Sequence, residues 1–400
     1  MAHGIKFDGI TMKDAQDFAN LPKRRNAVID AAPAKEISGI FPINEHAKAL
    51  HPEKQALVIK EIIDHTDAKT YILGSKDGSP VAYFRAGQYL SVQMNIEGSL
   101  LTRPYSISSS PAWAKEGKYA ITIRRNPAGF AADKFLDSAK VGDDIITSGP
   151  EGNFYYDAIR DADTVIALAG GSGITPFLSM AYAIRDGLEK FNLTIIFGSR
   201  TEDTILFKKE LDEITAACPK VKVVHVLSNE EKEGYEHGFI TAEIIKKYAP
   251  DKYSIFMCGP EAMYRFAEKE IATLGLEKKF VRRELLGVTK KVSEQPGYPA
   301  DAVGKVFNLT VLRGEEKYEI KAKAEESVLA AIERAGINAP SRCRSGECGW
   351  CRSKLVSGSV YTPEETDGRR HIDKKYNYIH PCASFPTSDL VVEVPGSYLK

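Results

Sequence analysis

Four of the six cysteines fall into one pattern: Cys343, Cys348 and Cys351 follow one another as C-x4-C-x2-C, and Cys382 answers them about thirty residues later. Three thiolates on one tight loop with a distant fourth form a ligand set for a [2Fe-2S] cluster. Gly346 and Gly349 lie inside the loop, where the backbone must curl through positive φ and aim its amides at the sulfurs. Zinc is the competing occupant, although zinc loops usually space their thiolates as two C-x2-C pairs. A cluster that accepts one electron at a time needs a donor elsewhere in the chain.

Two further stretches have the chemistry of a donor. In Arg103-Pro104-Tyr105-Ser106, strand alternation puts Arg103 and Tyr105 on one face and Pro104 and Ser106 on the other. A cation, a flat ring and a hydroxyl on one short strand suit a ligand with a phosphate, a planar ring and a hydrogen-bonding edge, which a flavin has. By residue type alone they read equally as a half-buried strand tyrosine and a solvated arginine. The second stretch is Gly170-Gly171-Ser172-Gly173-Ile174-Thr175-Pro176, between an apolar strand over Thr164–Ala169 and a helix over Phe177–Ile184. Strand, glycine turn and helix deliver a pyrophosphate to a helix N-terminus, with Thr175 as the N-cap and Pro176 at the first helical position. Pro176 stands where G-x-G-x-x-G has its third glycine, so the bare pattern also reads as a simple tight turn.

These stretches need three kinds of scaffold. Six short strands with turn signals between about Gln55 and Gly152 predict an antiparallel barrel. From Asp161, apolar strands alternating with helices predict a parallel sheet with crossovers. One of its strands ends in Met257-Cys258-Gly259-Pro260, and a cysteine there either faces the ligand crevice or is a small buried hydrophobe. Ser199 and Arg200 follow the second strand, where such folds meet the adenosine ribose; Glu202 and Asp203 come directly after, so NADH and NADPH both stay open. Cys218, before Pro219, reads as structural. Beyond a linker over 288–303, a hairpin at Phe307–Leu312 and Tyr318–Lys321 and a helix over Ser327–Ala335 lead to the cluster loop, with Val360 and Leu390–Val394 completing a small sheet. Residues 1–53, punctuated by Pro22, Pro33, Pro42 and Pro52, predict an irregular arm or small cap. The expected division is thus 1–53, 54–155, 156–287, 288–303 and 304–400.

The totals constrain partners and compartment. Fifty-four basic and 54 acidic residues cancel, so no global field favours nucleic acid or an anionic membrane. No run is long enough for membrane insertion and the N-terminus has no apolar signal core, which predicts a cytoplasmic protein whose cysteine cluster binds metal.

The cluster loop closely resembles the plant-type ferredoxins over about Lys305–Pro395. R-P-Y-S, G-G-S-G-I-T-P and C-G-P resemble the flavin and nicotinamide motifs of the ferredoxin-NADP reductase superfamily, and the combined likeness runs from about Gln55 to Pro395. That resemblance implies a flavin-binding β-barrel, a parallel-sheet NAD(P)-binding domain and a β-grasp ferredoxin domain. It implies Arg103 on the flavin phosphate, Tyr105 against the isoalloxazine, Ser106 near N5, and further contacts from Thr122, Ile123 and Arg124. Gly129-Phe130-Ala131-Ala132 resembles the family's second flavin motif, but Ala132 replaces its usual serine, so FAD is expected with FMN as the alternative. Gly170, Gly171, Ser172, Gly173, Thr175, Cys258, Gly259 and Pro260 would hold the nicotinamide nucleotide, with Cys258 beside its C4. Glu284 matches a carboxylate at the end of the domain, while Leu286 replaces the ring that covers the flavin in some relatives. The implied activity is an NAD(P)H-dependent reductase passing electrons through flavin and [2Fe-2S] cluster to a protein acceptor, such as an oxygenase or other redox enzyme. Arg342, Arg344 and Arg352 would rim the loop, either as solvated charge or as a docking face. Competing classes are a terminal flavin enzyme fed by its ferredoxin domain and a non-catalytic cluster carrier.

Overall fold

The computed structural model describes residues 9, 11–32, 41–125, 131–284, 287, 289 and 291–396. The chain divides into two compact units, residues 1–47 and 48–400. Two helices precede the first strand, α1 (Met12–Ala31) and α2 (Pro42–Leu50), and neither has a buried residue. The expected irregular arm is therefore helical at these positions. Thr11 and Asp14 close a capping box at the start of α1, and Pro22 is accommodated within it.

Six antiparallel strands follow: β1 (Gln55–Asp64), β2 (Ala68–Gly74), β3 (Tyr89–Ile96), β4 (Ser99–Ser106), β5 (Lys118–Arg124) and β6 (Asp144–Thr147), with α3 (Ala131–Ser138) between the last two. Their order is β4-β3-β6-β1-β2-β5, and a bridge from Ile107 to Ile121 joins the two edges, so the sheet curls into a barrel. Alternation drives the curl: Leu57, Ile59, Tyr71, Leu73, Leu90 and Val92 point inward and are almost wholly buried.

The second sheet is parallel throughout, in the order β10-β9-β8-β7-β11-β12. Its strands are β7 (Thr164–Gly170), β8 (Asn192–Ser199), β9 (Val221–Leu227), β10 (Glu236–His237), β11 (Ser254–Cys258) and β12 (Val281–Arg283); α4 (Thr175–Arg185), α5 (Lys208–Ala217), α6 (Ala242–Tyr248) and α7 (Glu261–Ala272) make the crossovers. β7 is buried on both faces, as its continuous apolar run requires. The strand order reverses between β7 and β11, and this switch point opens the crevice for a ligand at their carboxyl ends. Cys218 caps α5 and is buried in this core.

The last sheet has the order β14-β13-β19-β15-β17, from β13 (Val306–Arg313), β14 (Glu316–Lys323), β15 (Ser353–Ser357), β17 (Tyr378–Ile379) and β19 (Leu390–Glu393). Val360 is not in it: β16 (Val360–Tyr361) pairs instead with β18 (Phe385–Pro386). The helix α8 (Val328–Arg334) packs Val328, Ala331 and Ile332 into this core, and α9 (His371–Lys375) precedes β17. The segment expected as a linker is held down: Val292 and Ala302 are buried, and the Tyr361 hydroxyl donates to the Pro296 carbonyl at 2.7 Å.

Candidate functional site

The cluster loop gathers all four predicted sulfurs. The Ser345 and Cys348 amides each donate to Cys343 Sγ at 3.4 Å, the Gly346 amide to Cys382 Sγ at 3.3 Å, and the Trp350 amide to Cys348 Sγ at 3.4 Å. Cys351 Sγ lies 3.4 Å from Cys382 Sγ. Hydrogen bonds from the Cys348 and Cys382 thiols hold Cys343 well below the ordinary thiol range, and Cys348 and Cys382 are correspondingly raised. Four sulfurs drawn together, with amides aimed at three of them, fit an iron–sulfur cluster, whose sulfurs need such donors. Gly346 (φ +77°) is doubly required, because a Cβ would sit 1.9 Å from the Thr366 carbonyl oxygen. His380, absent from the predicted set, pins the loop by bonding the Gly346 carbonyl through Nδ1. Its only trace in the sequence is the His-Pro that precedes Cys382.

The three arginines around this loop do not form a solvated rim. Arg344 is buried with Glu333, Arg342 pairs with Glu151 of the barrel's exit turn and lies 3.5 Å over the Trp350 ring, and Arg352 pairs with Asp373 and stacks 3.4 Å over Tyr378. Arg344 and Arg342 brace the loop from within, while Arg352 keeps 41% of its side chain in solvent.

On β4, Arg103 and Tyr105 share a face and are half-buried, and Ser106 pairs across the ladder with Tyr89. Arg103 Nη1 lies 3.7 Å from Glu333, which also holds Arg344, so two guanidiniums face one carboxylate. Burial lowers Arg103 to about 10, and Arg344 adds to that shift. The unbalanced cation suits a phosphate, and the adjoining tyrosine suits a flat ring, as a flavin would require. On β5, Thr122 bonds Thr70 at 2.8 Å, while the Ile123 side chain is wholly in the barrel core and offers only backbone to a ligand. Ala131 begins α3 and Ala132 packs beside the core; Gly129, Phe130 and Leu286 lie outside the described residues.

The glycine loop is a short 3-10 turn over Gly171–Ile174 that runs straight into α4. Thr175 is not an N-cap but the first helical residue, and its hydroxyl donates to the Ser172 carbonyl at 3.0 Å. An extended cap residue is unnecessary where one helical turn feeds another. The loop is pressed against the end of β11: a Cβ on Gly173 would lie 2.1 Å from the Cys258 carbonyl oxygen, and one on Gly170 or Gly259 would lie 2.5 Å from Met263 Sδ. Arg124, expected at the flavin, also stands over this loop, since a Cβ on Gly171 would meet its Nη1 at 2.5 Å. Asp67 holds its other side at 2.6 Å. A guanidinium beside the half-exposed Gly171 and Ser172 fits a pyrophosphate.

Cys258 is paired with Ala169 across the switch point, and Gly259 and Pro260 lead from it into α7. Burial, with the Glu284 carboxylate nearby, pushes its thiol well above the ordinary value. The Glu284 amide donates to Met257 O at 3.0 Å, and Tyr264 Oη donates to the carbonyls of both residues, which fixes the ends of β11 and β12 together. Ser199 and Arg200 lie at the end of β8, where their carbonyls accept the Ser228 and Asn229 amides at 3.0 and 2.9 Å. A cleft of about 1180 Å³ opens where barrel, parallel sheet and cluster loop meet, lined by Tyr89, Gly152, Met257, Glu284, Cys348 and Trp350 among others. Arg103, Tyr105 and Ser106 do not line it; the barrel reaches it through Tyr89 of β3, the ladder partner of Ser106. Tyr89 is a second residue that the motifs did not reveal, buried between Glu284 and the cluster cysteines, whose charges raise its pKa after burial does.

A curled antiparallel barrel, a parallel sheet with a ligand crevice and a nest of four cysteine sulfurs in one chain define an NAD(P)H-dependent flavin and iron–sulfur oxidoreductase, carrying electrons from the nucleotide through FAD to a [2Fe-2S] cluster. Comparison with known families agrees: residues 55–156 match the oxidoreductase FAD-binding domain, 167–269 the oxidoreductase NAD-binding domain and 312–387 the 2Fe-2S iron-sulfur cluster binding domain. The chain belongs to the ferredoxin-NADP reductase family, in the form that adds a C-terminal 2Fe-2S ferredoxin domain. It is 34% identical over 244 residues to NADH-cytochrome b5 reductase 1 of Dictyostelium discoideum, covering 58% of this chain and 82% of that one. It is 28% identical to the glycine betaine monooxygenase reductase subunit of Chromohalobacter salexigens over 84% of this chain and 94% of the relative. Among solved structures, phthalate dioxygenase reductase superposes with a TM-score of 0.62 at 26% identity, covering 85% of this chain and 98% of that one. Among the described residues, no helix is long and apolar enough to cross a membrane.

Proposed function

We propose that this chain is the reductase component of a multicomponent oxygenase, delivering single electrons to a separate protein acceptor. The relatives that span most of its length support this: the glycine betaine monooxygenase reductase subunit, and the ferredoxin reductase component of 3-ketosteroid-9-alpha-monooxygenase of Mycobacterium tuberculosis, 29% identical over 89% of this chain and 98% of the relative. The observation that carries the reading is the sulfur nest joined in one chain to the flavin and nicotinamide folds, the module set over which these two reductase components match. When bound, a flavin accepts hydride and releases its electrons singly, and a binuclear cluster passes them on one at a time.

The residues divide this work. Arg103 would neutralise the flavin phosphate, Tyr105 would lie against its ring system, and Ser106 would meet its N5 edge. The glycine amides of residues 170–173, with Arg124, would hold the nicotinamide pyrophosphate, and Gly259 and Pro260 would leave space beside it. Cys258, kept neutral by burial, would pack against the nicotinamide without competing as a base. Glu284 would set the polarity beside it, and Ser199 and Arg200 would meet the adenosine end. Cys343, Cys348, Cys351 and Cys382 would ligate the cluster, of which Cys348 alone is exposed.

Anaerobically purified protein should carry flavin and about two irons per chain, and either NADH or NADPH should bleach both chromophores. Ferricyanide, which can draw on the flavin, should still be reduced after the cluster is stripped, whereas an oxygenase partner should not. Colourless protein containing zinc and no flavin would refute the reading, as would undiminished transfer to the partner without the cluster.

A further inference from the structure

Glu333 belongs to no motif, yet it ties the two redox halves together. It lies on α8 with 4% of its side chain exposed. Its Oε1 accepts from Arg344 Nη1 at 2.6 Å, and its Oε2 faces Arg103 Nη1 at 3.7 Å. Arg344 follows the first cluster cysteine and Arg103 lies on β4, two residues before Tyr105. One carboxylate therefore spans the cluster loop and the strand assigned to the flavin.

Three observations make this more than an ordinary ion pair. Arg344 is equally buried, and its Nε finds no partner among the described residues, so Glu333 is its principal compensation. Arg344 also adopts φ +57°, a conformation that a non-glycine residue keeps only where its surroundings over-determine it. Lastly, α8 is anchored to the far end of the ligand set: the Val328 amide donates to the Ser384 carbonyl at 2.9 Å, and Leu329 packs with Cys351, Cys382 and Ala383. The helix carrying Glu333 thus grips both sides of the nest while its carboxylate reaches the barrel.

We infer that Glu333 is a positioning residue for electron transfer between flavin site and cluster, holding the Cys343 loop and the Arg103 strand in register. The inference rests on the assignment of β4 to the flavin. No bond is made or broken at Glu333: the hydride brings two electrons, and each passes singly to the cluster and on to the acceptor. Buried ion pairs add little net stability but can fix register, and removal of the shared anion would leave two guanidiniums facing each other.

The test is Glu333→Gln in the holoprotein, mixed anaerobically with NADH or NADPH while flavin and cluster absorbance are followed separately. Flavin reduction should stay within about twofold of wild type while cluster reduction slows by about tenfold or more, since misplacement by an ångström is costly to a positioned reaction. Independently of turnover, flavin-free E333Q should exchange amide hydrogens faster at residues 101–105 and 341–345. Glu326→Gln, which breaks a pair with Arg334 inside the cluster domain, should change neither rate. Should E333Q fail to retain its cluster, Glu333→Asp is read instead, with slowed cluster reduction and an intact hydride step expected. Cluster reduction at the wild-type rate, a parallel fall in both steps, or an equal effect of E326Q would overturn the inference. Wild-type protein inert to both nucleotides would instead overturn the electron-transfer reading, and this inference with it.

Discussion

Gly346 and Gly349 offer a matched pair for testing how the cluster nest is built. Both have positive φ, +77° and +71°, so alanine at either incurs a left-handed penalty of about 1–2 kcal/mol. They differ in what a new methyl would meet. At Gly349 the nearest atom is His380 Nε2 at 3.6 Å, ordinary contact; at Gly346 it is the Thr366 carbonyl oxygen at 1.9 Å, with Ala383 Cβ at 2.9 Å. Neither neighbour is the free end of a flexible side chain, so the loop itself must retreat, at a further cost of roughly 1–3 kcal/mol as for an overpacked core. The retreat would withdraw the Gly346 amide from Cys382 Sγ and its carbonyl from His380. The two variants should therefore differ by about five- to 150-fold in the equilibrium that closes the nest. Iron per flavin and visible circular dichroism after mild chelator challenge give the readout, with flavin content as the internal reference. Gly349→Ala should keep most of its cluster and Gly346→Ala should lose it first. Equal retention would show that conformation and not proximity selects glycine at 346, and would refute the argument.

Three other perturbations test the nucleotide crevice and its support. Gly173→Ala puts a methyl 2.1 Å from the Cys258 carbonyl oxygen. It should weaken nicotinamide binding about five- to 150-fold, for roughly 1–3 kcal/mol, while titrated flavin content stays unchanged. Arg282 is 7% exposed and Asp161 fully buried; they form a two-point pair, and Arg282 also donates to the Tyr155 carbonyl at 2.6 Å. Arg282→Met should lower unfolding free energy by about 3–5 kcal/mol in denaturant melts, with Asp161→Asn partly restoring it. The Cys258 thiol is raised by burial and by Glu284, so it stays protonated where an unfolded cysteine, with a pKa of about 8.5, ionises. A raised native pKa stabilises the fold fully below the unfolded value and loses that contribution as pH climbs toward the native one. Hydride transfer should therefore show no ionisation from Cys258 between about pH 6 and 8.5. A wild-type inflection in that range that vanished in Cys258→Ala would contradict this.

Legibility in the sequence followed the range of the interactions. The barrel strands announce themselves because alternation is local, and β7 does so because a strand buried on both faces must be continuously apolar. The sulfur nest was visible because three ligands and two strained glycines share nine residues, Cys343 to Cys351. The arginines near it were misread because no local pattern names their partners: Glu333 lies 11, Asp373 21 and Glu151 191 residues away. Composition supplies charge but not its counter-charge. Thr175 looked like an N-cap, since a threonine before proline usually is one; the 3-10 turn ahead of it removes the need. Pro22 and Pro42 read as breakers, but one is accommodated within α1 and the other opens α2. Val360 was assigned to the main sheet because strand propensity specifies no partner.

Those remote pairings reveal how the three redox modules are joined. Each has an apolar core, although Ala68, Ala86 and Phe154 of the barrel segment pack into that of the parallel sheet; the directional contacts between modules are Arg103 on Glu333, Arg342 on Glu151, Ser110 on Asp186 at 2.5 Å and Ser179 on the Ser109 carbonyl at 2.7 Å. Apolar surfaces would bind the modules strongly but tolerate sliding, because the hydrophobic effect has no direction. Hydrogen bonds and ion pairs weaken steeply when misaligned and add little net stability, so they set register at small energetic gain. Electron delivery needs that combination, since the cluster domain must sit at a defined place relative to the flavin strand without being fused to it. Both joints between barrel and cluster domain are partly exposed: Arg103 keeps 25% of its side chain in solvent opposite Glu333 at 4%, and Arg342 and Glu151 retain 16% and 17%. Arg342 and Glu151 are in direct contact whereas Arg103 stands 3.7 Å from Glu333, so salt should loosen the Arg103 joint first, and a module released there would still be held at Arg342.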